Sequence, residues 1–189
     1  MDFWLADCWS HRFRYLGHSA GVVMSGMEIE RKFLVRKDRN FRDMASSSSR
    51  IKQGYIASQG ATVRVRIRGD KGYLTIKGPS LDGGLSRYEF EKEITLDEAE
   101  HLMKLCVRPI IDKTRYLVPF AGHVFEVDEF YGDNEGLVVA EVELQRGDEQ
   151  FDKPDFIGPE VTADRRFRNY ALLGNPYKFW REQLPPQYR

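Results

Sequence analysis

Residues 62–68 read TVRVRIR, in which arginine occupies every second position and β-branched residues lie between. Successive side chains of a β-strand point to opposite faces, so this stretch predicts a strand with one apolar face and one charged face. The same period of two recurs through most of the chain. It predicts about eight antiparallel strands, at residues 28–35, 51–57, 62–68, 72–77, 87–95, 113–118, 123–130 and 137–145.

Short glycine-containing stretches separate several of these strands, which is the pattern of hairpin turns. They occur at residues 69–72, 82–84 and 132–136. The serine run at 46–49 is expected to form a loop, because it is too short to link two domains. The pattern as a whole predicts a mainly β fold of the α+β class, with few helices.

The clearest helical signal starts at Thr95, which has the spacing of a capping box with Glu98. An apolar stripe follows it and predicts a helix over 96–106 that packs against the sheet. A second helix is expected at about 163–173, and Gly174 would end it.

The size and charge of the chain exclude several classes of protein. At 189 residues the chain fits one domain. Its 29 basic and 29 acidic residues cancel, so no net field would attract nucleic acid or an anionic membrane. No stretch is apolar for long enough to span a bilayer. Cys8 and Cys106 suggest neither a disulfide framework nor a zinc site, and they fit a reducing cytoplasm.

The first 26 residues mix aromatic and basic side chains and lack the apolar core of a secretory signal. Met24 and Met27 both lie just before the first strand pattern. We therefore interpret residues 1–26 as an N-terminal extension that arises from a misassigned start, and residues 27–189 as the domain. The alternative is a functional arm that folds over this domain.

Charged side chains occupy the polar face of nearly every expected strand. For one strand alone, a solvated sheet face explains them. If the sheet closes, however, the charged faces all point outward or all line a lumen, and alternation does not decide which. A lumen with both signs of charge suits a polyanion that brings Mg²⁺ or Mn²⁺, because basic groups bind phosphate oxygens and carboxylates bind these ions. The basic residues on these faces are Lys32, Arg64, Arg66, Lys77, Lys113 and Arg115.

The segment EIERK at residues 28–32 resembles the ExExK signature of the CYTH family, also called triphosphate tunnel metalloenzymes. Further motifs of the family follow in order through residue 168. The resemblance implies a closed, eight-stranded antiparallel β-barrel tunnel with the charges inside. The motifs are QGY at 53–55, RVR at 64–66, TIKG at 75–78, RYEFE at 87–91, KTRY at 113–116, EVDEF at 126–130, EVEL at 141–144 and EVTADRRF at 160–167.

The resemblance also implies roles for the lumen residues. Lys113 and Tyr55 are candidates for handling the attacking water, because a lysine ammonium beside a phenol lowers its pKa. The sequence leaves open which arginine among residues 165–168 reaches the tunnel, and no histidine is assigned to metal. The implied ligands of Mg²⁺ or Mn²⁺ are Glu28, Glu30, Glu141 and Glu143, with Asp128 or Glu91 contributing. The implied phosphate-binding residues are Lys32, Arg64, Arg66, Lys77 and Arg115.

The expected activity is metal-dependent hydrolysis of inorganic triphosphate to pyrophosphate and phosphate, because the chain is similar to the short bacterial inorganic triphosphatases. One alternative is a class IV adenylyl cyclase, which makes cyclic AMP from ATP with the same charged groups. A second is a non-catalytic polyphosphate-binding module. The expected partner is a small polyphosphate, without nucleic acid or membrane, and a homodimer is compatible with the sequence.

Overall fold

A computed structural model describes residues 23–79 and 86–189. In these residues, nine β-strands form one sheet, and all neighbouring strands are antiparallel. The strands are β1 (Val23–Val35), β2 (Ser47–Ile56), β3 (Thr62–Arg68), β4 (Lys71–Lys77), β5 (Ser86–Ile94), β6 (Val107–Phe120), β7 (His123–Phe130), β8 (Val138–Glu143) and β9 (Ile157–Glu160). The α-helices are α1 (Leu96–Met103) and α2 (Ala171–Gly174).

The sheet curls until its two ends meet along β1. The strand order is β5-β4-β3-β2-β6-β7-β8-β1-β9, and β1 also pairs with β5. Residues 23–29 of β1 pair with β5, whereas residues 30–34 pair with β8. Among the pairs that the structure describes, no β1 residue pairs with both β5 and β8, so the sheet is not fully closed. The predicted tunnel architecture is confirmed, but the expectation of a closed eight-stranded barrel is corrected to nine strands with incomplete closure.

The apolar strand faces point outward, where other segments cover them. α1 lies on the outer face of β3 and β4, where Val65 is fully buried with Ala99 and Met103. On the outer face of β1 and β7, Phe33 and Phe125 belong to a cluster that includes Phe156 from the segment after β8. The charged faces therefore line the lumen, as the family resemblance implied.

One end of the lumen is filled by the C-terminal segment. Inward-facing apolar residues of five strands, including Leu34 and Phe130, pack against Phe167, Leu172 and Trp180. All of these strand residues lie at the same end of the antiparallel sheet. The charged residues lie further along the same strands, so the lumen has an apolar floor and a charged wall.

The second predicted helix, at 163–173, is wrong in extent. The structure has a short 3-10 turn at Arg165–Phe167, capped by the Asp164 side chain, and then the four-residue α2. Arg168 separates them with φ −76° and ψ 130°, an extended conformation. The first helix is confirmed with its capping box, although it ends at Met103.

The strand predictions hold for most of the chain but miss three features. The loop predicted at 46–49 is wrong, because Ser47–Ile56 is a strand whose first residues pair with the end of β6. β6 covers 14 residues, more than twice the predicted stretch. β9 was not predicted, since its sequence IGPE has no alternation.

The predicted extension lies mostly outside the described residues, as do Cys8 and the turn at 82–84. β1 begins at Val23, so residues 23–26 belong to the sheet. Cys106 is a free, buried cysteine. None of the helices in the described part of the chain is long and apolar enough to cross a lipid bilayer.

Gly72 allows α1 to approach β4 closely. A Cβ atom at this position would lie 2.5 Å from Cβ of Ala99 and 2.8 Å from the carbonyl oxygen of Thr95. We expect Gly72→Ala to lower the free energy of unfolding by about 1–3 kcal/mol, measured by urea denaturation, because the helix must shift. Gly78→Ala is the control, since its nearest atom would lie 3.6 Å away. Equal losses in both variants would contradict this account of the contact.

Candidate active site

The inward face of the sheet holds an unusual number of buried charges. Burying a charge is costly unless it is paired and hydrogen-bonded. The lumen residues form two groups, one on each side, and each mixes cations with carboxylates. The aspartate cluster comprises Lys32, Lys113, Arg115, Glu126, Asp128 and Glu141, and the arginine cluster comprises Arg64, Arg66, Thr75, Lys77, Glu89 and Glu91.

Asp128 is the centre of the aspartate cluster. Arg115 donates to it from Nε at 2.7 Å and from Nη2 at 2.6 Å, and Lys113 also donates to it. Burial acts to raise the pKa of Asp128, but the charges of Arg115 and Lys113 outweigh burial and hold that pKa below its usual value. Glu141 joins the cluster by accepting from Arg115 at 2.9 Å and pairing with Lys32 at 2.7 Å.

The arginine cluster is organised around Glu91. Its Oε2 accepts from Thr75 at 2.7 Å and from Arg64 at 3.1 Å, and it lies 3.7 Å from Arg66. Glu89 is 2.5 Å from Lys77 and 3.5 Å from Arg64. The two carboxylates therefore pair with three cations of β3 and β4 in the lumen.

Two donors of this cluster have no partner. The Nε atoms of Arg64 and Arg66 are buried and make no hydrogen bond with any residue that the structure describes. Burial, followed by the nearby charge of Arg64, lowers the pKa of Arg66 to about 10, against the attraction of Glu91. A buried N–H group without an acceptor is costly, so these two donors leave a place for an acceptor such as an anion's oxygen.

The two water-handling candidates have pKa values shifted in opposite directions. Burial, followed by the charge of Arg115, lowers the pKa of Lys113 to about 8, although Asp128 opposes the shift. Burial raises the pKa of Tyr55. The charges of Arg64, Arg66 and Lys32 act to lower that pKa but do not outweigh burial. The expectation that the phenol has a lowered pKa is therefore corrected. Its hydroxyl is hydrogen-bonded to Gln53, at 3.0 Å, rather than to Lys113.

Carboxylates line the other end of the lumen, away from the apolar floor. A cavity of about 390 Å³ opens there, beside the turn between β6 and β7. Glu30 and Glu143 are paired residues of β1 and β8, and Glu126 and Glu141 are paired residues of β7 and β8. The cavity is lined by Glu30, Gly122, His123, Val124, Glu126, Glu141, Glu143, Gln145 and Glu149.

This cavity fits a hard divalent cation by its chemistry, because its charged donors are carboxylate oxygens. Within residues 23–79 and 86–189, no three side chains of the metal-binding types are grouped to hold an ion by themselves. Glu28 belongs to β1, and its backbone pairs with that of Arg87. Its side chain lies outside the described part of the structure. Oxygen atoms of a bound phosphate or of water would complete the coordination, as is usual for Mg²⁺.

The remaining predicted ligands lie elsewhere in the lumen. Asp128 accepts from two cations deep in the aspartate cluster, and Glu91 holds Arg64 and Thr75 on the far wall. Their contribution to metal binding stays a prediction. Of the C-terminal arginines, Arg166 pairs with Asp164 on the surface.

Sequence reasoning included Glu89, Thr75 and Glu126 in the quoted motifs but gave them no part in the site. It quoted Gln53 only within a family motif. The signal that could have identified them is their register, since each pairs with a predicted site residue on a neighbouring strand. Lys77 pairs with Glu89, Arg64 with Thr75, Glu141 with Glu126, and Arg66 with Gln53.

The fold and the site together define an antiparallel tunnel protein whose lumen carries buried cations beside a carboxylate-lined mouth. The model of the CYTH domain matches residues 26–170. The chain therefore belongs to the CYTH family.

Similar proteins cover most of the chain. An inorganic triphosphatase of Acetivibrio thermocellus is 48% identical over 159 residues, which are 83% of this chain and 99% of that protein. An inorganic triphosphatase of Nitrosomonas europaea is 36% identical over 150 residues, 77% of this chain and 95% of the relative. The crystal structure of the inorganic triphosphatase NE1496 superposes with a TM-score of 0.56 at 32% identity, covering 77% of this chain and 93% of that one.

Proposed function

We propose that this protein hydrolyses inorganic triphosphate to pyrophosphate and phosphate inside the lumen. The observation that carries the proposal is the pair of buried Nε donors on Arg64 and Arg66, which have no hydrogen-bond partner among the described residues and can donate to phosphate oxygens. The similarity to proteins named inorganic triphosphatase supports a triphosphate as that anion. The small polyphosphate enters from the carboxylate-lined mouth, because the apolar floor blocks the other end.

The cations of both walls bind the phosphate oxygens. Arg64 and Arg66 offer N–H donors from one wall, and Lys32 and Arg115 face them from the other. These side chains are already held by carboxylates, so little reorganisation is needed when the charge of the reacting phosphoryl group spreads. Lys77 completes the set of five predicted phosphate-binding residues.

Glu30, Glu141 and Glu143, together with Glu28, hold Mg²⁺ or Mn²⁺ at the mouth. The bound ion would neutralise phosphate charge and polarise the attacking water. Without such an ion, five glutamates around one cavity would repel the substrate. This repulsion argues against a module that binds polyphosphate without a metal ion.

Lys113 and Tyr55 are the residues that handle the attacking water. With its pKa at about 8, a part of the Lys113 population is neutral near pH 7 and can accept a proton from water. Tyr55 keeps its own proton because burial raises its pKa, so it acts as a hydrogen-bond donor.

The test is phosphate release from inorganic triphosphate, ATP and thiamine triphosphate, with Mg²⁺, Mn²⁺ or EDTA. We expect rapid release from triphosphate with either ion, slower release from the other two compounds, and none in EDTA. Glu30→Gln should require more metal, whereas Glu135→Gln, an exposed control, should not. Cyclic AMP formed from ATP would instead indicate a cyclase, and metal-independent binding without release would indicate a binding module.

A further inference from the structure

Gln53 is a buried polar residue that neither the charged wall nor the apolar floor accounts for. Its side chain is 1% exposed, and it lies on β2 between Arg66 of β3 and Ile111 of β6. Its Nε2 donates a hydrogen bond to the Tyr55 hydroxyl oxygen, at 3.0 Å. Both side chains face the lumen, two residues apart on one strand.

The ring of Tyr55 is held in place by packing and burial. Tyr170 packs against it edge to face, with 5.3 Å between the ring centroids, and Tyr55 is only 4% exposed. Packing of this kind leaves the hydroxyl oxygen in one place but does not determine the direction of its proton. The hydrogen bond from Gln53 is the contact that can do so.

A tyrosine hydroxyl has one proton to donate and lone pairs that accept. The Gln53 amide occupies a lone pair, so the Tyr55 proton cannot point toward that amide group. Among the described residues, no group accepts the Tyr55 proton. The proton is therefore directed to the lumen, where Arg64 and Arg66 would hold an anion.

We propose that Gln53 is a positioning residue for hydrolysis, which orients the Tyr55 hydroxyl so that its proton is donated to an oxygen atom of the bound phosphate or of the attacking water. This inference rests on the proposed function. It assigns to Gln53 an effect on turnover that passes entirely through Tyr55, without contact between Gln53 and the substrate.

A double-mutant cycle tests this dependence. Gln53→Met keeps the size of the side chain and removes the donor, and Tyr55→Phe removes the hydroxyl. Each should lower kcat for triphosphate about 10–100-fold, as the loss of an orienting partner does, with less change in KM. The double variant should be no slower than Tyr55→Phe alone, because Gln53 then has nothing left to orient.

Two further variants sharpen the test. Gln53→Glu presents only acceptor oxygens, so the Tyr55 proton would turn toward it, and kcat should fall at least as far as in Gln53→Met. Gln59→Met is the matched control, since Gln59 is exposed in the turn after β2, and it should keep wild-type kcat. Thermal unfolding of every variant shows which fraction is folded. If Gln53→Met does not fold, Gln53→Glu replaces it in the comparison of kcat values.

The outcomes separate the two proposals. If the wild type releases no phosphate, the proposed function fails and this inference fails with it. If the wild type is active but Gln53→Met keeps full kcat, only the inference is overturned. The same holds if adding Gln53→Met to Tyr55→Phe lowers kcat by the same factor as adding it to the wild type. A structural role alone would lower the unfolding temperature and leave kcat per folded molecule unchanged.

Discussion

Arg66→Gln should reduce kcat for triphosphate about 10²–10³-fold, the usual cost of removing one preorganised donor from the transition state. The same change should leave the free energy of unfolding unchanged or raise it. The reason is that burial and the charge of Arg64 disfavour a cation at this position, and the ion pair that Arg66 makes among the described residues, with Glu91, is 3.7 Å long. Glu91 keeps its bonds to Arg64 and Thr75 in the variant.

Arg68→Gln is the control for this prediction. Arg68 lies two residues further along the same face, but it donates to the Tyr73 hydroxyl at 3.1 Å and belongs to neither cluster. We expect nearly wild-type kcat for it, by the same phosphate-release assay. If Arg66→Gln stays active, or loses stability as measured by urea denaturation, Arg66 serves the fold rather than the substrate.

Asp128→Asn should lower the free energy of unfolding by about 3–5 kcal/mol, because it leaves Lys113 and Arg115 buried without their shared partner. The control is Asp112→Asn. Asp112 accepts two hydrogen bonds from Arg50, at 2.7 and 2.8 Å, but both side chains are substantially exposed, so the loss there should be about 0–1 kcal/mol. Similar losses in the two variants would contradict the account of the buried cluster.

The contribution of Asp128 should also depend on pH, with a definite sign. The folded protein holds its pKa below the unfolded value of about 3.9, so the folded state favours the charged form. Its stabilising effect is therefore complete above that value and is lost as the pH falls through the folded pKa. The difference in unfolding free energy between wild type and Asp128→Asn should be constant between about pH 5 and pH 7, below the pKa of its partner Lys113, and should shrink in acid.

Much of the lumen could be predicted from the sequence because a strand has a strict period of two. That period placed Arg64, Arg66 and Lys77 on one face without any structure. It could not decide whether this face points inward, because a charged face is equally typical of a solvated sheet. The apolar residues that cover the outer face, such as Phe156 and Ala99, come from segments distant in sequence.

The parts that sequence reasoning missed depend on tertiary contacts. Ser47 joins β2 because the long β6 offers a pairing edge, and serine has no strong preference of its own. Tyr55 was expected to have a lowered pKa, but its burial depends on Tyr170 and the C-terminal segment. Gln53 had no chemical signal of its own, since its role depends on a single hydrogen bond.

The central claim is that the lumen hydrolyses inorganic triphosphate with the help of a divalent cation. The most direct measurement follows the phosphorus NMR signals of triphosphate mixed with the wild-type protein and Mg²⁺. Triphosphate should disappear while pyrophosphate and phosphate appear in equal amounts, and EDTA should stop the reaction. Triphosphate that remains intact under these conditions, with the protein folded, would contradict this claim.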